Sequence, residues 1–182
     1  MAKRRSDPCV CGVCMTQIVR PQVPSGAQVM VFGEHPGQNE MEQGIPFAPS
    51  RKSWGKSTGD VLRAELYRVG VMPNQVIMTN LWLHPMPSKK EDRDNEIEWH
   101  IGQLLGIMGK VKAVLMLGDE CTHAFLDSIM GPISSLEVKV SRFPASVETI
   151  TVGPNPAGVF HGAIGEIRLA IEKFSRRAEP WL

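Results

Sequence analysis

A chain of 182 residues is most simply one domain with room for a sizeable core. With 42% hydrophobic and 21% charged residues it has the composition of a soluble globular protein, and a net charge of +1 excludes nucleic-acid binding by bulk basicity, though not by a local basic patch. No apolar run is long enough for a bilayer, and the basic residues 1–5 lead into no apolar segment of the signal-peptide kind, so a cytoplasmic or nucleoid-associated protein with no membrane association is expected, and a monomer is the simplest expectation for its assembly.

Residues 1–26 are polar, contain Pro21 and Pro24, and read as an irregular N-terminal arm ahead of a single α/β domain at 27–182. Cys9, Cys11 and Cys14 crowd into the arm, and Cys121 stands apart with the character of a core thiol, small and apolar after a buried strand. In a reducing compartment such crowding points to metal before disulfide, but Cys-x-x-Cys supplies only half of a four-ligand site. The run Val29-Met30-Val31-Phe32 predicts a buried strand over 28–32. It leaves through Gly33-Glu34-His35-Pro36-Gly37, where glycines allow close backbone approach and Pro36 stiffens the loop, and Pro46-Phe47 follows. The stretch Ser50-Arg51-Lys52-Ser53-Trp54-Gly55-Lys56-Ser57 then sets cations around an aromatic. A helix is predicted over 58–69, capped by Thr58, with Val61, Leu62, Leu66 and Val69 on one face. A strand over 76–81, a polar loop over 85–95 and a helix over 96–108 come next. Residues 113–117, between Lys112 and Gly118, form the clearest strand, and Asp119 can cap a helix running to about residue 130. A strand over 147–152 and a helix over 162–175 complete the chain.

Alternating strands and helices predict a three-layer α/β/α sandwich with a central four-stranded parallel sheet. In such a sheet the loops leaving the strands open on one edge, where binding sites lie. The loops starting at Gly33, Thr79, Leu117 and Gly153 therefore converge.

Three of these loops carry motifs in a fixed order. The first reads Gly33-Glu34-His35-Pro36-Gly37, then Glu40, then Gly44-Ile45-Pro46-Phe47; the second Thr79-Asn80-Leu81-Trp82-Leu83-His84-Pro85-Met86-Pro87; the third is an apolar strand ending Leu117-Gly118. Together they resemble the uracil-DNA glycosylase superfamily, closest to its family-4 type. The resemblance implies an enzyme that flips a base out of DNA and cleaves the N-glycosidic bond of uracil or a related modified base. It implies that Gly33 and its loop approach the flipped base and sugar, that Phe47 stacks on the base, and that Asn80 hydrogen-bonds its Watson–Crick edge. Glu34 would position a water or stabilise the cationic sugar. Arg51, Lys52, Trp54 and Lys56 suit a DNA backbone. Gly55-Lys56-Ser57-Thr58 also mimics the end of a phosphate-binding loop, but Ser50 stands where that motif requires glycine and no strand directly precedes it.

Three features depart from the family, the first being the stretch 50–57, which adds about seven residues after Pro46-Phe47 where the family moves quickly to the next helix. Its last motif carries a histidine, and this chain has Gly153-Pro154-Asn155-Pro156-Ala157-Gly158. One alignment replaces the histidine by Gly153; a shifted one gives Asn155-Pro156-Ala157-Gly158, similar to the Asn-Pro-Ser-Gly of the mismatch-specific branch. Asn155, or an imidazole from His35 or His161, are the candidates for the missing role. The family-4 type also holds an iron–sulfur cluster on four cysteines. Two correspond to Cys11 and Cys14, and the other two positions hold His84 and His100. Two cysteines and two histidines favour structural zinc, with an iron–sulfur cluster in a rarer ligation as the alternative. Beside the glycosylase reading stand a catalytically weak or inactive DNA- and base-binding member of the same superfamily, and a protein-partner scaffold.

Overall fold

The computed structural model describes residues 18–52, 55, 57–118, 125, 145–157 and 164–182. Four strands, β1 (Val29–Gly33), β2 (Val76–Asn80), β3 (Ala113–Leu117) and β4 (Thr149–Gly153), form one sheet in the order β2-β1-β3-β4. Every pairing is parallel. Four helices are described: α1 (Gln38–Gln43), α2 (Thr58–Arg68), α3 (Lys90–Ile107) and α4 (Ile164–Ala178).

The first three strands are buried along their whole length, so their alternate side chains serve two separate cores. Val29, Val31, Met78, Leu115 and Leu117 pack with Leu62 and Leu66 of α2 and Ile167, Ile171 and Phe174 of α4. Met30, Phe32, Ile77, Val114 and Met116 pack with Leu104 of α3 and with Met108. This is the expected three-layer sandwich. Among the described residues no helix is long and apolar enough to cross a membrane.

Several boundaries differ from the sequence reading. Helix α3 begins at Lys90, so most of the stretch read as a polar loop over 85–95 is helical. That stretch is charged rather than loop-forming: it lacks Gly and Pro after Pro87, and Glu91 and Asp92 lie in the first turn, where acids favour the helix dipole. Helix α1 has no buried residue, so no apolar period could announce it. Ser57, not Thr58, caps α2: its Oγ accepts from the Asp60 N–H at 3.1 Å, and Asp60 Oδ2 accepts from the Ser57 N–H at 3.1 Å. The phosphate-loop mimic is thus the capping box of a helix. The helix expected over 119–130 lies outside the described residues except for Phe125, which is helical and meets Phe32 edge-on at 5.2 Å.

The described end of the arm is tied to the domain. Gln22 makes an antiparallel bridge with Met78, covering the outer edge of β2, and the Val19 N–H donates to the Leu83 carbonyl at 2.7 Å. At the carboxyl end of the sheet, the Leu81 and Trp82 N–H groups donate to the Gly33 and Glu34 carbonyls, each at 2.8 Å. The loops after β1 and β2 are therefore fixed to each other.

Candidate active site

A cavity of about 240 Å³ opens at the carboxyl ends of the strands, lined among others by Gly33, Glu34, Glu40, Phe47, Asn80 and Asn155. Phe47 is buried and holds φ at +50°, a left-handed conformation that a bulky residue rarely adopts. Such a backbone costs on the order of 1–3 kcal/mol and persists only where contacts over-determine it. Here its N–H donates to Glu40 Oε1 at 2.6 Å, and its carbonyl accepts from Arg63 Nε at 2.8 Å. Arg63 Nη2 also donates to the Pro46 carbonyl at 3.0 Å. Burial lowers the Arg63 pKa from its ordinary value, and the Glu40 carboxylate offsets part of that. The first turn of α2 backs directly onto this segment: a Cβ on Gly59 would overlap the Phe47 carbonyl.

Asn80 ends β2 and is buried. Its Nδ2 donates to the same Glu40 Oε1 at 2.9 Å. A carboxylate only accepts, so this bond fixes which way the amide points. The amide oxygen then faces Gly33, where an added Cβ would lie 2.9 Å from Asn80 Oδ1 and 3.0 Å from the Phe47 ring. Any side chain at 33 would fill the cavity. Glu40 also accepts the Gly37 N–H on Oε2 at 2.7 Å. It thereby joins the loop, Phe47 and Asn80 into one unit. The sequence reading placed Glu40 in the motif without a role; its position three residues after Gly37, a capping-box spacing, was the available signal.

Glu34 and Asn155 meet across the cavity mouth, Asn155 Nδ2 donating to Glu34 Oε2 at 2.6 Å. Asn155 Oδ1 accepts the Ala157 N–H at 2.9 Å, which orients that amide too. A side chain at 153 would instead run into Ala170 and Leu117, 2.9 and 3.0 Å from its Cβ. Of the two alignments, only the one through Asn155 puts a functional side chain in the cavity. His35 lies exposed at the cavity wall, with Nδ1 3.3 Å from the Pro36 carbonyl oxygen. His161 lies outside the described residues.

Arg51 and Lys52 are exposed, at a loop whose base is held by Asp60: the Ser50 N–H donates to Asp60 Oδ1 at 3.2 Å. Trp54 and Lys56 lie outside the described residues.

A second cluster lies away from the cavity lining. His84 and His100 are brought together, both buried, with their Nε2 atoms 3.1 Å apart. Burial, and next the charge on His84, push the His100 pKa down to about 3. Glu96 Oε2 lies 3.4 Å from His84 Nε2 and is also buried. The sequence reading missed Glu96, although Glu96 and His100 are one helical turn apart and share a face of α3. Cys11 and Cys14 lie outside the described residues.

With this geometry in view, three comparisons bear on kinship. No curated protein matches the sequence. Among solved structures, the crystal structure of wild-type Pedobacter heparinus SMUG2 is similar, with a TM-score of 0.56 at 12% identity, over 85% of this chain and 75% of that one. At that identity the likeness shows a shared fold. The model of the uracil DNA glycosylase superfamily matches residues 20–174, a span that holds all four strands and every described wall of the cavity. The chain belongs to the uracil-DNA glycosylase superfamily.

Proposed function

We propose that the chain is a DNA glycosylase that hydrolyses the N-glycosidic bond of uracil, or of a closely related base, after flipping it from DNA. The observation that carries this reading is that Phe47, Asn80 and Glu34 line one small cavity, with the Asn80 amide held in a single orientation by Glu40. A flat base entering there stacks on Phe47. Asn80 Oδ1 accepts the ring N–H of uracil, and the second Nδ2 hydrogen donates to the adjacent exocyclic oxygen. Cytosine presents a lone pair at that ring nitrogen, against the same oxygen. As the bond to the base lengthens, the sugar becomes cationic. The Glu34 carboxylate stabilises it and takes a proton from the water that attacks the anomeric carbon, while the base leaves with the bonding pair.

A second reading, a base binder with little turnover, has its own support. The last-motif position in the cavity is Asn155, bonded to Glu34, where the family's histidine would take the charge on the leaving base. Oligonucleotides carrying single lesions, single- and double-stranded, separate the readings when assayed for abasic sites and for binding. Abasic sites formed at uracil support the enzyme. Selective binding without abasic sites supports the binder, and neither on any lesion removes both.

Two further outcomes are expected. Phe47→Ala should weaken binding of a uracil oligonucleotide with a non-cleavable glycosidic bond by about 1–3 kcal/mol, the usual value of one base stacked on an aromatic. An equal loss on the cytosine-containing strand would show that Phe47 does not stack on a flipped base. Replacing Arg51, Lys52 and Lys56 together with alanine should flatten the salt dependence of DNA affinity. Every phosphate left without its cation lowers the log–log slope by about 0.7–0.9. An unchanged slope assigns this loop to something other than DNA.

A further inference from the structure

The cluster of His84, Glu96 and His100 has the donor set and spacing of a metal site. All three side chains are buried, at 1%, 6% and 0% exposure, and their ligand atoms lie within 4.8 Å of one another. Two ligands at zinc's usual 2.0–2.1 Å, held tetrahedrally, stand about 3.3 Å apart. The observed separations are 3.1 Å between the two Nε2 atoms and 3.4 Å from His84 Nε2 to Glu96 Oε2. His84 is also oriented as a ligand: its Nδ1 lies 2.8 Å from the Pro85 carbonyl, which accepts the Nδ1–H and leaves the Nε2 lone pair facing the cluster. Trp82 and Trp99 pack on His100 at ring-centroid distances of 4.7 and 4.8 Å, so the cluster is walled on that side by aromatic rings.

The iron–sulfur cluster implied by the family-4 resemblance does not fit these residues. Ligands to different irons of one cluster stand farther apart than ligands to one ion, and the donors here are nitrogen and oxygen, not thiolate. We propose that His84, Glu96 and His100 bind a single divalent ion, zinc, which ties the segment after β2 to α3. The site is separate from the base cavity and stands or falls without the glycosylase reading.

Without metal, the same nitrogens form a hydrogen bond between the imidazoles, and the Leu83 N–H, 3.4 Å from His100 Nδ1, fits that form too. Metal analysis of the full chain, purified without added metal and again after zinc loading and dialysis, separates the two. The expected result is one zinc per chain with no acid-labile sulfide. Glu96→Gln should weaken zinc binding at least tenfold, since even an outer partner of a ligand costs about that much. No zinc, sulfide-bearing iron, or zinc binding unchanged by Glu96→Gln overturns the site. If that variant does not fold, X-ray absorption at the zinc edge of the natural chain decides: a shell containing nitrogen and oxygen upholds the assignment, and a shell of sulfur alone overturns it.

Discussion

Glu34→Gln should lower the single-turnover rate of uracil removal by about 10²–10⁴-fold, the range for losing a positioned acid or base. The substitution keeps the shape and leaves an amide oxygen able to accept from Asn155 Nδ2, now 2.6 Å from Glu34 Oε2. What it removes is the negative charge that the proposed reaction sets against a cationic sugar, and the capacity to take a proton from water. Glu34 belongs to neither apolar core, so the thermal midpoint should change little. Affinity for DNA should likewise hold, because the interaction is made with charge that develops only in the transition state. Asn155→Ala should cost less, about tenfold, since its contact in the cavity is with the Glu34 carboxylate, which would keep its charge. A Glu34→Gln enzyme with an undiminished single-turnover rate would remove Glu34 from the chemistry.

How far the sequence reached depended on whether a signal was local. Residues 113–117 were legible to the residue because an apolar run lies between Lys112 and Gly118. The first and second strands were placed to within one residue for the same reason. Helix α1 was invisible because it buries nothing, and the start of α3 was hidden by a charged stretch that resembles a loop in polarity alone. The site was legible where motifs carried it: the residues of the first two loops, far apart in sequence, line one cavity. Glu40 was not, because its partner Asn80 is forty residues away and its importance lies in that contact. Glu96 was within reach, since a glutamate four residues before a suspected ligand shares its helix face. The choice between Gly153 and Asn155 needed the backbone, which turns residue 153 toward Ala170 and Leu117.

The largest effect on discrimination between bases is expected at Glu40. Its two oxygens accept three N–H groups: those of Phe47 and Asn80 on Oε1, and that of Gly37 on Oε2. Glutamine offers one oxygen and one NH₂ in the same space, so at least one of these contacts must become donor against donor. If the NH₂ faces Gly37, the loop loses its anchor. If it faces Asn80, the Asn80 amide is free to turn over, presenting Nδ2 where Oδ1 now faces Gly33. A cavity so reversed would offer a donor to the ring nitrogen, which suits the lone pair of cytosine rather than the N–H of uracil. Loss of a charge-assisted hydrogen bond costs about 1.5–3 kcal/mol. Glu40→Gln should therefore lower kcat/KM for uracil by about 10–100-fold, at about 1.4 kcal/mol per tenfold, and narrow the gap between uracil and cytosine. The left-handed Phe47 backbone, deprived of one of its two clamps, should lower the thermal midpoint as well. The two effects are separable by Arg63→Lys, which weakens the other clamp on the Phe47 carbonyl and leaves the Asn80 contact in place. That variant should lose stability and leave the ratio of activity on uracil to that on cytosine at the natural chain's value. Equal preference in both variants would reduce Glu40 to a structural support of the loop.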